Sequence, residues 1–493
     1  MNVIKDLVTK ANLSIESTEI VPLGNAKYIC QVKIELDASD RLSNLNPSGI
    51  EGRVLFLGPA GSGKTTLLSV LSDWGSRDDG KGKMRTRLLH HRHELLSGST
   101  SSVTHRPLVF LKDTPIPIAL TDDSVLLQLE RRREILGEGK VVQLVDSAGK
   151  LRFDRTVFSV LTSAAHPPNF AFIVLEAPAS NSPNESLVPA QTLTTLKILE
   201  SLGIPVALII NKIDQSSTDV ISQLLESFSE QIEHRKSLEI YDKDDEEEWR
   251  LDASTIPVLL VSAVTGDFLD SLARFLYYCT EPPLTVSACP FIHAQESASS
   301  ALIIEQVAHL INVGTVVYGQ VAFGSICVGD VMVLGPLPNS ENLIVKVKSI
   351  QRLKCPVNQA LPSQHVSIAL DCEDKSKSIK KGMTLISLPP SSTLSLKPLR
   401  RIIAELEQIS GNLQTRFYGT LYVMGQRFPA ILDVQPRSLR RASEVPSDSR
   451  LICLVSFPEK RPANVFLFPS ASIVFIGNGR REKFVGKVID YFA

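Results

Sequence analysis

Several features are scarce in this sequence of 493 residues, and each scarcity excludes something. Its seven cysteines, Cys30, Cys279, Cys289, Cys327, Cys355, Cys372 and Cys453, include no CxxC pair. Scattered thiols in a long chain read as reduced core residues, not as a disulfide frame or a cysteine zinc site. No apolar run approaches the roughly 18 residues that a membrane-spanning helix needs. The opening MNVIKDLVTK lacks the apolar stretch of a secretory signal. The expectation is a soluble, cytoplasmic protein without a membrane. The formal net charge is -1, so no global basic field draws in nucleic acid, and any such contact must come from local patches.

What is present is enough for several cores. Hydrophobic residues make up 43% and charged residues 21%, a globular balance, and the length predicts about three domains. Residues 1–49 read as an N-terminal extension, with strand-like alternation at YICQVKIEL (28–36) and a polar linker after it. Over residues 50–282, VLFL (54–57), VVQLV (141–145), FAFIVL (170–175), PVALII (205–210) and PVLLV (257–261) are continuous apolar runs. Such runs suit strands buried on both faces of a parallel sheet. Helical stretches at 65–73, 188–202, 219–237 and 266–278 alternate with them, which predicts a doubly wound α/β domain. After Pro282 and Pro283 the pattern changes to short Val-, Ile- and Thr-rich strands punctuated by Gly, as in 313–336. This predicts two all-β barrels, 283–392 and 393–493, divided by the polar, Pro-rich stretch 387–398. The acidic run 242–248 reads as a solvated loop.

Four motifs carry chemistry. Gly58, Pro59, Ala60, Gly61, Ser62, Gly63, Lys64 and Thr65 spell GxxxxGK[ST] between a predicted strand and a predicted helix, the context that a phosphate loop requires. Its backbone N–H groups and helix N-terminus suit phosphate oxygens, Lys64 suits the β- and γ-phosphates, and the hydroxyl of Thr65, followed by Thr66, suits Mg²⁺. Asn211, Lys212 and Asp214 form NKxD at the end of PVALII. A carboxylate there can accept from guanine N1–H and N2–H₂, donors that adenine lacks. Ser262, Ala263 and Val264 follow the next strand, where the Ala263 N–H can donate to guanine O6. NKID alone could be an ordinary polar loop; two base loops in order at a sheet's carboxyl edge narrow that reading. Asp146 and Gly149 form DxxG after VVQLV, suited to hold Mg²⁺ through water and to sense the γ-phosphate. Thr100 is the candidate first-switch threonine and third metal ligand.

These residues resemble the elongation-factor-like GTP-binding proteins 1 and 2, a branch of the translational GTPases that includes elongation factors Tu and 1-alpha. The resemblance covers about residues 50–493. It is most specific at RDDGKGKMRTRLLHHRHELLSGSTSSV (77–103), where the family carries a similar segment ending in RHxxExxSGRTSSV. VTGDFLDSL (264–272), VGTVVYGQVAFGSICVGD (313–330), RFYGTLYVMGQRFPAIL (416–432), FPEKRP (457–462) and GRREKFVGKV (479–488) add to it. The resemblance implies a P-loop GTPase domain with two barrels that swing against it. It also implies GTP/GDP and Mg²⁺ as cofactors, aminoacyl-tRNA and the ribosome as partners, possible protein regulators, and a monomer. The implied role is elongation-like delivery or ribosome rescue.

Three positions depart from the family pattern. Lys150 stands where the family has the histidine that positions the attacking water, Gly61 where it usually has Asp, and Ser99 where it has Arg. A protonated lysine has no acceptor lone pair. Lys64, Thr100, Gly149 and Lys150 are therefore the candidate catalytic set, with Lys150 pointing to slow hydrolysis. The alternative function is a GTP-binding scaffold that acts through protein partners. Arg400, Arg401, Arg437, Arg440, Arg441, Arg480 and Arg481 are candidate tRNA-backbone contacts; scattered solvated charge is the other reading.

Overall fold

The computed structural model describes residues 14–22, 28–35, 51–89, 92–98, 100–118, 139–149, 154–162, 168–178, 188–232, 236–241, 254–280, 300–311, 313–335, 337, 343–372, 379–387, 399–435, 450–458, 463, 471–479 and 482–492. Near the start, β1 (Ser14–Pro22) and β2 (Tyr28–Glu35) form an antiparallel hairpin. The strand at 28–36 was legible in the alternation; its partner was not.

The first domain is an eight-stranded sheet. Its strands are β3 (Glu51–Leu57), β4 (Thr104–Phe110), β5 (Pro117–Ile118), β6 (Lys140–Asp146), β7 (Phe170–Glu176), β8 (Val206–Asn211), β9 (Ser237–Ile240) and β10 (Thr255–Val261). The spatial order is β5-β4-β6-β3-β7-β8-β10-β9. β3 runs parallel to β6 and β7, whereas β4 pairs antiparallel with β6. Alternation along β3 explains its unbroken apolar run. Val54 and Phe56 point into one core with Phe172 and Phe275, while Leu55 and Leu57 point into another with Ile173 and Leu208. Helices α1 (Lys64–Ser72) and α6 (Leu269–Cys279) cover the first face. Helices α3 (Asp154–Leu161), α4 (Ala190–Leu202) and α5 (Thr218–Gln231) cover the second. A short α2 (Arg92–Ser97) precedes β4.

The helix expected over 219–237 stops at Gln231, and Ser237–Ile240 is instead an edge strand parallel to β10. Its sequence is too short to outvote the helix beside it, and pairing with β10 decides its state. The first half of β4, THRP, carries no strand signal; pairing with β6 makes it one.

Strands β11 (Ser300–Leu310), β12 (Gly314–Phe323), β14 (Val331–Gly335), β15 (Leu343–Arg352), β18 (His365–Asp371) and β19 (Thr384–Ser387) form an antiparallel ring, closed by the β14–β15 pairing. The short β13 (Ile326–Cys327), β16 (Cys355–Val357) and β17 (Gln359–Ala360) decorate it. A second closed barrel runs β20-β23-β22-β21-β24-β25. These strands are β20 (Arg401–Ser410), β21 (Arg416–Val423), β22 (Gln426–Val434), β23 (Arg450–Ser456), β24 (Ser472–Gly477) and β25 (Lys483–Phe492). Each barrel has an apolar interior, Ala301, Ile303, Ala322 and Ile386 of the first join the cluster of the second, and closure leaves no free edge around either ring. The chain is thus an elongation factor Tu-like α/β domain followed by two six-stranded barrels. Among the described residues, Cys279, Cys327, Cys355, Cys372 and Cys453 are free thiols, and no helix is long and apolar enough to cross a membrane. The acidic run 242–248 lies outside the described residues.

Candidate functional site

Four loops of the site leave the carboxyl ends of β3, β6, β8 and β10, where open α/β sheets present ligands, and the Thr100 loop joins them from between α2 and β4. The phosphate loop joins β3 to α1. Gly58 and Gly63 have φ of 134° and 85°, and both are pressed. A Cβ on Gly58 would lie 2.3 Å from Val174 O, and one on Gly63 2.3 Å from Asn211 Nδ2. Only glycine meets both demands. Gly63 caps α1 without a side-chain hydrogen bond, so the first-turn N–H groups stay available to an external anion.

Lys64 curls back over this loop. Its Nζ donates to Gly58 O (2.8 Å) and Pro59 O (2.7 Å), while Ser62 Oγ also donates to Pro59 O (3.0 Å). Burial lowers the Lys64 pKa to about 8, against the pull of Asp146. Ala60, Gly61 and Thr66 line the same cavity, whose volume is about 230 Å³.

Three oxygen donors converge beside Lys64. Thr65 Oγ1 donates to Asp146 Oδ2 at 2.5 Å and lies 2.6 Å from Thr100 Oγ1. Asp146 is fully buried; burial raises its pKa to about 6, opposed by Thr65 and Lys64. Its Oδ1 is buried without a hydrogen-bond partner. A hard, all-oxygen donor set with an unsatisfied carboxylate oxygen fits Mg²⁺, and Thr65, Thr100 and Asp146 are the residues that could hold it. Gly149 abuts the phosphate loop: a Cβ there would meet Lys64 Nζ at 2.6 Å and Ala60 N at 2.8 Å.

The two base loops are latched to each other. Ser262 Oγ donates to Asp214 Oδ1 at 2.6 Å, and the N–H groups of Val264 and Thr265 donate to Ser262 Oγ. Asn211 Nδ2 donates to Ser62 O at 2.9 Å, joining the base loop to the phosphate loop. Lys212 adopts φ of 66° and pairs with Glu176 at 2.7 Å. Ala263 and Val264 line the cavity with Asp214.

Glu94 on α2 was not legible as a site residue. It is fully buried, and its Oε1 accepts from the N–H and Oγ of both Ser101 and Ser102 at 2.7–2.9 Å. Four bonds on one carboxylate oxygen set the turn that presents Thr100. Its one sequence signal was the shared ExxSG spacing. Lys150, Ser99, Arg437, Arg440, Arg441, Arg480 and Arg481 lie outside the described residues; Arg400 and Arg401 are exposed.

With this geometry in hand, the likenesses to known proteins are consistent. Residues 52–282 match the family model described as the elongation factor Tu GTP binding domain. GTP-binding protein 1 of Xenopus laevis is 28% identical over 345 residues, covering 69% of this chain and 49% of that protein. GTP-binding protein 2 of Homo sapiens is 27% identical over 362 residues, covering 71% of this chain and 56% of that protein. The chain therefore spans about half the length of the curated relatives it matches. Among solved structures, translation elongation factor SelB from Methanococcus maripaludis in complex with the GTP analogue GppNHp shares the fold. Its TM-score is 0.58 at 19% identity, over 90% of this chain and 80% of that one. Residues 52–282 thus carry an elongation factor Tu-type GTP-binding domain, in a chain that is similar to GTP-binding proteins 1 and 2.

Proposed function

We propose that this protein is a GTP- and Mg²⁺-dependent switch that, when loaded with GTP, engages aminoacyl-tRNA or the ribosome in the cytoplasm and hydrolyses GTP to GDP and phosphate. The observation that carries this reading is the convergence of Thr100, Thr65 and Asp146 at 2.5–2.6 Å. One hydroxyl on the mobile side of a GTPase meets two groups from the rigid side, which is what a γ-phosphate-dependent switch needs. The likeness to SelB, a translation elongation factor, supports the partner class.

In hydrolysis, a water oxygen bonds to the γ-phosphorus while the bond to the β,γ-bridging oxygen breaks, and negative charge grows on that oxygen. Lys64 would neutralise the β- and γ-phosphates, and the Gly149 N–H would bond the γ-phosphate. Bound Mg²⁺ supplies charge stabilisation to the same oxygens. Asp214 and the Ala263 N–H would select guanine. Thr100, held by Glu94, would close the site.

Lys150 supports a second reading: a slow or non-hydrolysing GTP-bound scaffold that acts through protein partners. The two separate by turnover measured with and without ribosomes, alongside nucleotide-dependent co-sedimentation. Ribosome binding only with GTP, and stimulated turnover, are expected of the switch. Lys150→His should raise turnover; unchanged or lower turnover defeats the idea that Lys150 slows it. No co-sedimentation in any nucleotide state defeats the translational role.

A further inference from the structure

The segment between α1 and α2 borders the nucleotide cavity, and none of the four motifs accounts for it. Asp78 organises this segment. Its Oδ2 accepts from Gly80 N (3.0 Å) and Gly82 N (3.1 Å), and its Oδ1 from Met84 N (2.9 Å). Its own N–H donates to Ala263 O at 3.1 Å, in the second base loop. Ser69 Oγ of α1 donates to Met84 O at 2.7 Å. The segment is thus pinned to α1 on one side and to a base loop on the other.

What it carries into the cavity is Arg85, which shares that wall with Lys64, Thr65, Thr66 and Thr100. Gly82 and Gly98 make room for its guanidinium, with φ of 88° and 60°. A Cβ on Gly82 would lie 2.4 Å from Arg85 Nε, and one on Gly98 2.9 Å from Nη2. Gly98 lies two residues before Thr100, so the guanidinium rests on the loop that presents the switch threonine. Arg85 is half-buried, and among the described residues no carboxylate pairs with it. The neighbouring Arg87 does pair, with Asp73. A planar, permanently charged donor left unpaired on the wall of a cavity otherwise built for phosphate has one natural partner, an anionic oxygen.

We propose that Arg85 is a phosphate-binding residue supplied in cis. Its guanidinium donates to the triphosphate of the bound nucleotide, and Asp78 is the positioning residue that aims it. This rests on the GTP reading of the cavity. Because Arg85 leans on Gly98, its grip belongs to the closed arrangement of the Thr100 loop. It therefore favours the triphosphate over the diphosphate.

The test is calorimetry on the full chain with GppNHp and with GDP, both with Mg²⁺. Arg85→Ala should weaken GppNHp binding by about tenfold or more, the scale of a charge-assisted hydrogen bond, and GDP binding clearly less. The melting temperature of the nucleotide-free protein should stay unchanged, and Arg85→Lys should recover only part of the loss. Gly98→Ala should mimic Arg85→Ala in the triphosphate-to-diphosphate ratio, with Arg85 still present. Equal weakening for both nucleotides with a lowered melting temperature, or no weakening at all, overturns the proposal. If the wild-type protein itself fails to bind GppNHp, the GTP reading fails first, and that outcome is visible without any variant.

Discussion

The GTP-binding domain meets its two barrels through unlike interfaces. Against the first barrel it buries charge. Arg352 Nε donates to Glu51 Oε1 at 2.6 Å with both side chains fully buried, and Arg53 Nη1 faces Glu305 at 3.4 Å. His365 stands between the two carboxylates, and His105 of β4 lies 3.9 Å from Glu305. Against the second barrel it buries apolar surface. Phe158 of α3 packs on Tyr422 with ring centroids 5.6 Å apart, and Val474 and Val485 join the core under α4. A cavity of about 260 Å³, lined by Val157, Leu161, Ile198 and Lys483 among others, remains beside them. Ionic pairs have one good geometry, whereas apolar faces tolerate sliding. The difference teaches that the first interface is set by directional charge pairs, whereas the second is mostly apolar packing with a few hydrogen bonds, among them Gly425 N–H to Thr162 O at 2.9 Å. This mostly apolar face carries α3, the first described helix after the DxxG loop, so it lies nearer in the chain to the candidate γ-phosphate sensor than the charged face does.

The charged cluster also draws attention as a metal site, since ligand atoms of His105, Glu305 and His365 lie within 4.8 Å of one another. Its charge count argues otherwise. Two guanidiniums already balance two carboxylates. A divalent ion would add two uncompensated buried charges, whereas a proton on His365 adds one. Burial opposes that proton, but Glu305 and Glu51 outweigh it and hold the His365 pKa above its ordinary value.

The comparison breaks most visibly at Arg352. Arg352→Ala leaves Glu51 buried beside His365 without its guanidinium and should cost about 3–5 kcal/mol. Thermal unfolding measures it, and a double-mutant cycle with Glu51→Gln should recover part of the loss because no unpaired charge remains. A cost below about 1 kcal/mol would mean that the pair does not hold the domains.

Next in size is Phe158→Ala, which enlarges the neighbouring cavity and should cost about 3 kcal/mol. If the apolar face is the one that slides, this variant should alter nucleotide-dependent distances between the GTP-binding domain and the second barrel, read by fluorescence energy transfer. Distances to the first barrel should stay put. Equal changes at both interfaces would erase the distinction.

Much of the nucleotide site was legible because its chemistry is local. GxxxxGK[ST], DxxG, NKxD and SAV each sit in a few consecutive residues after an apolar run, so spacing alone located them. Glu94 and Arg85 were not legible, because their roles depend on which loop faces them. The ionic interface was hidden entirely. Glu51, Arg53, His105, Glu305, Arg352 and His365 lie on five strands of two domains, and each looks like an ordinary polar residue in its own strand. No period or spacing links them; only tertiary packing does.

The smallest expected effect is the sharpest probe of that hidden cluster. Burial pushes the His105 pKa down to about 4, despite the pull of Glu305, with Arg53, His365 and Lys381 opposing its charge. The unfolded chain returns it to about 6.5, so the unfolded state binds the proton first and stability falls as pH drops from 6.5 toward 4. His365 does not contribute in that window. Its folded pKa is raised, so its stabilisation is complete below 6.5 and lost only as pH rises. Glu51 and Glu305 do not contribute there either: their neighbours outweigh burial and hold both below the ordinary carboxylate value, so their contribution is lost only at lower pH. Between pH 6.5 and 5 His105 should therefore cost the wild-type protein about 1–2 kcal/mol, partly offset by Asp146, whose pKa of about 6 favours the folded state as pH falls, and His105→Asn should remove the His105 part of the slope. Melting temperatures of the two proteins at both pH values decide it. Parallel curves would show that His105 is not buried neutral against the first barrel, and the picture of a charge-locked interface would lose its G-domain histidine.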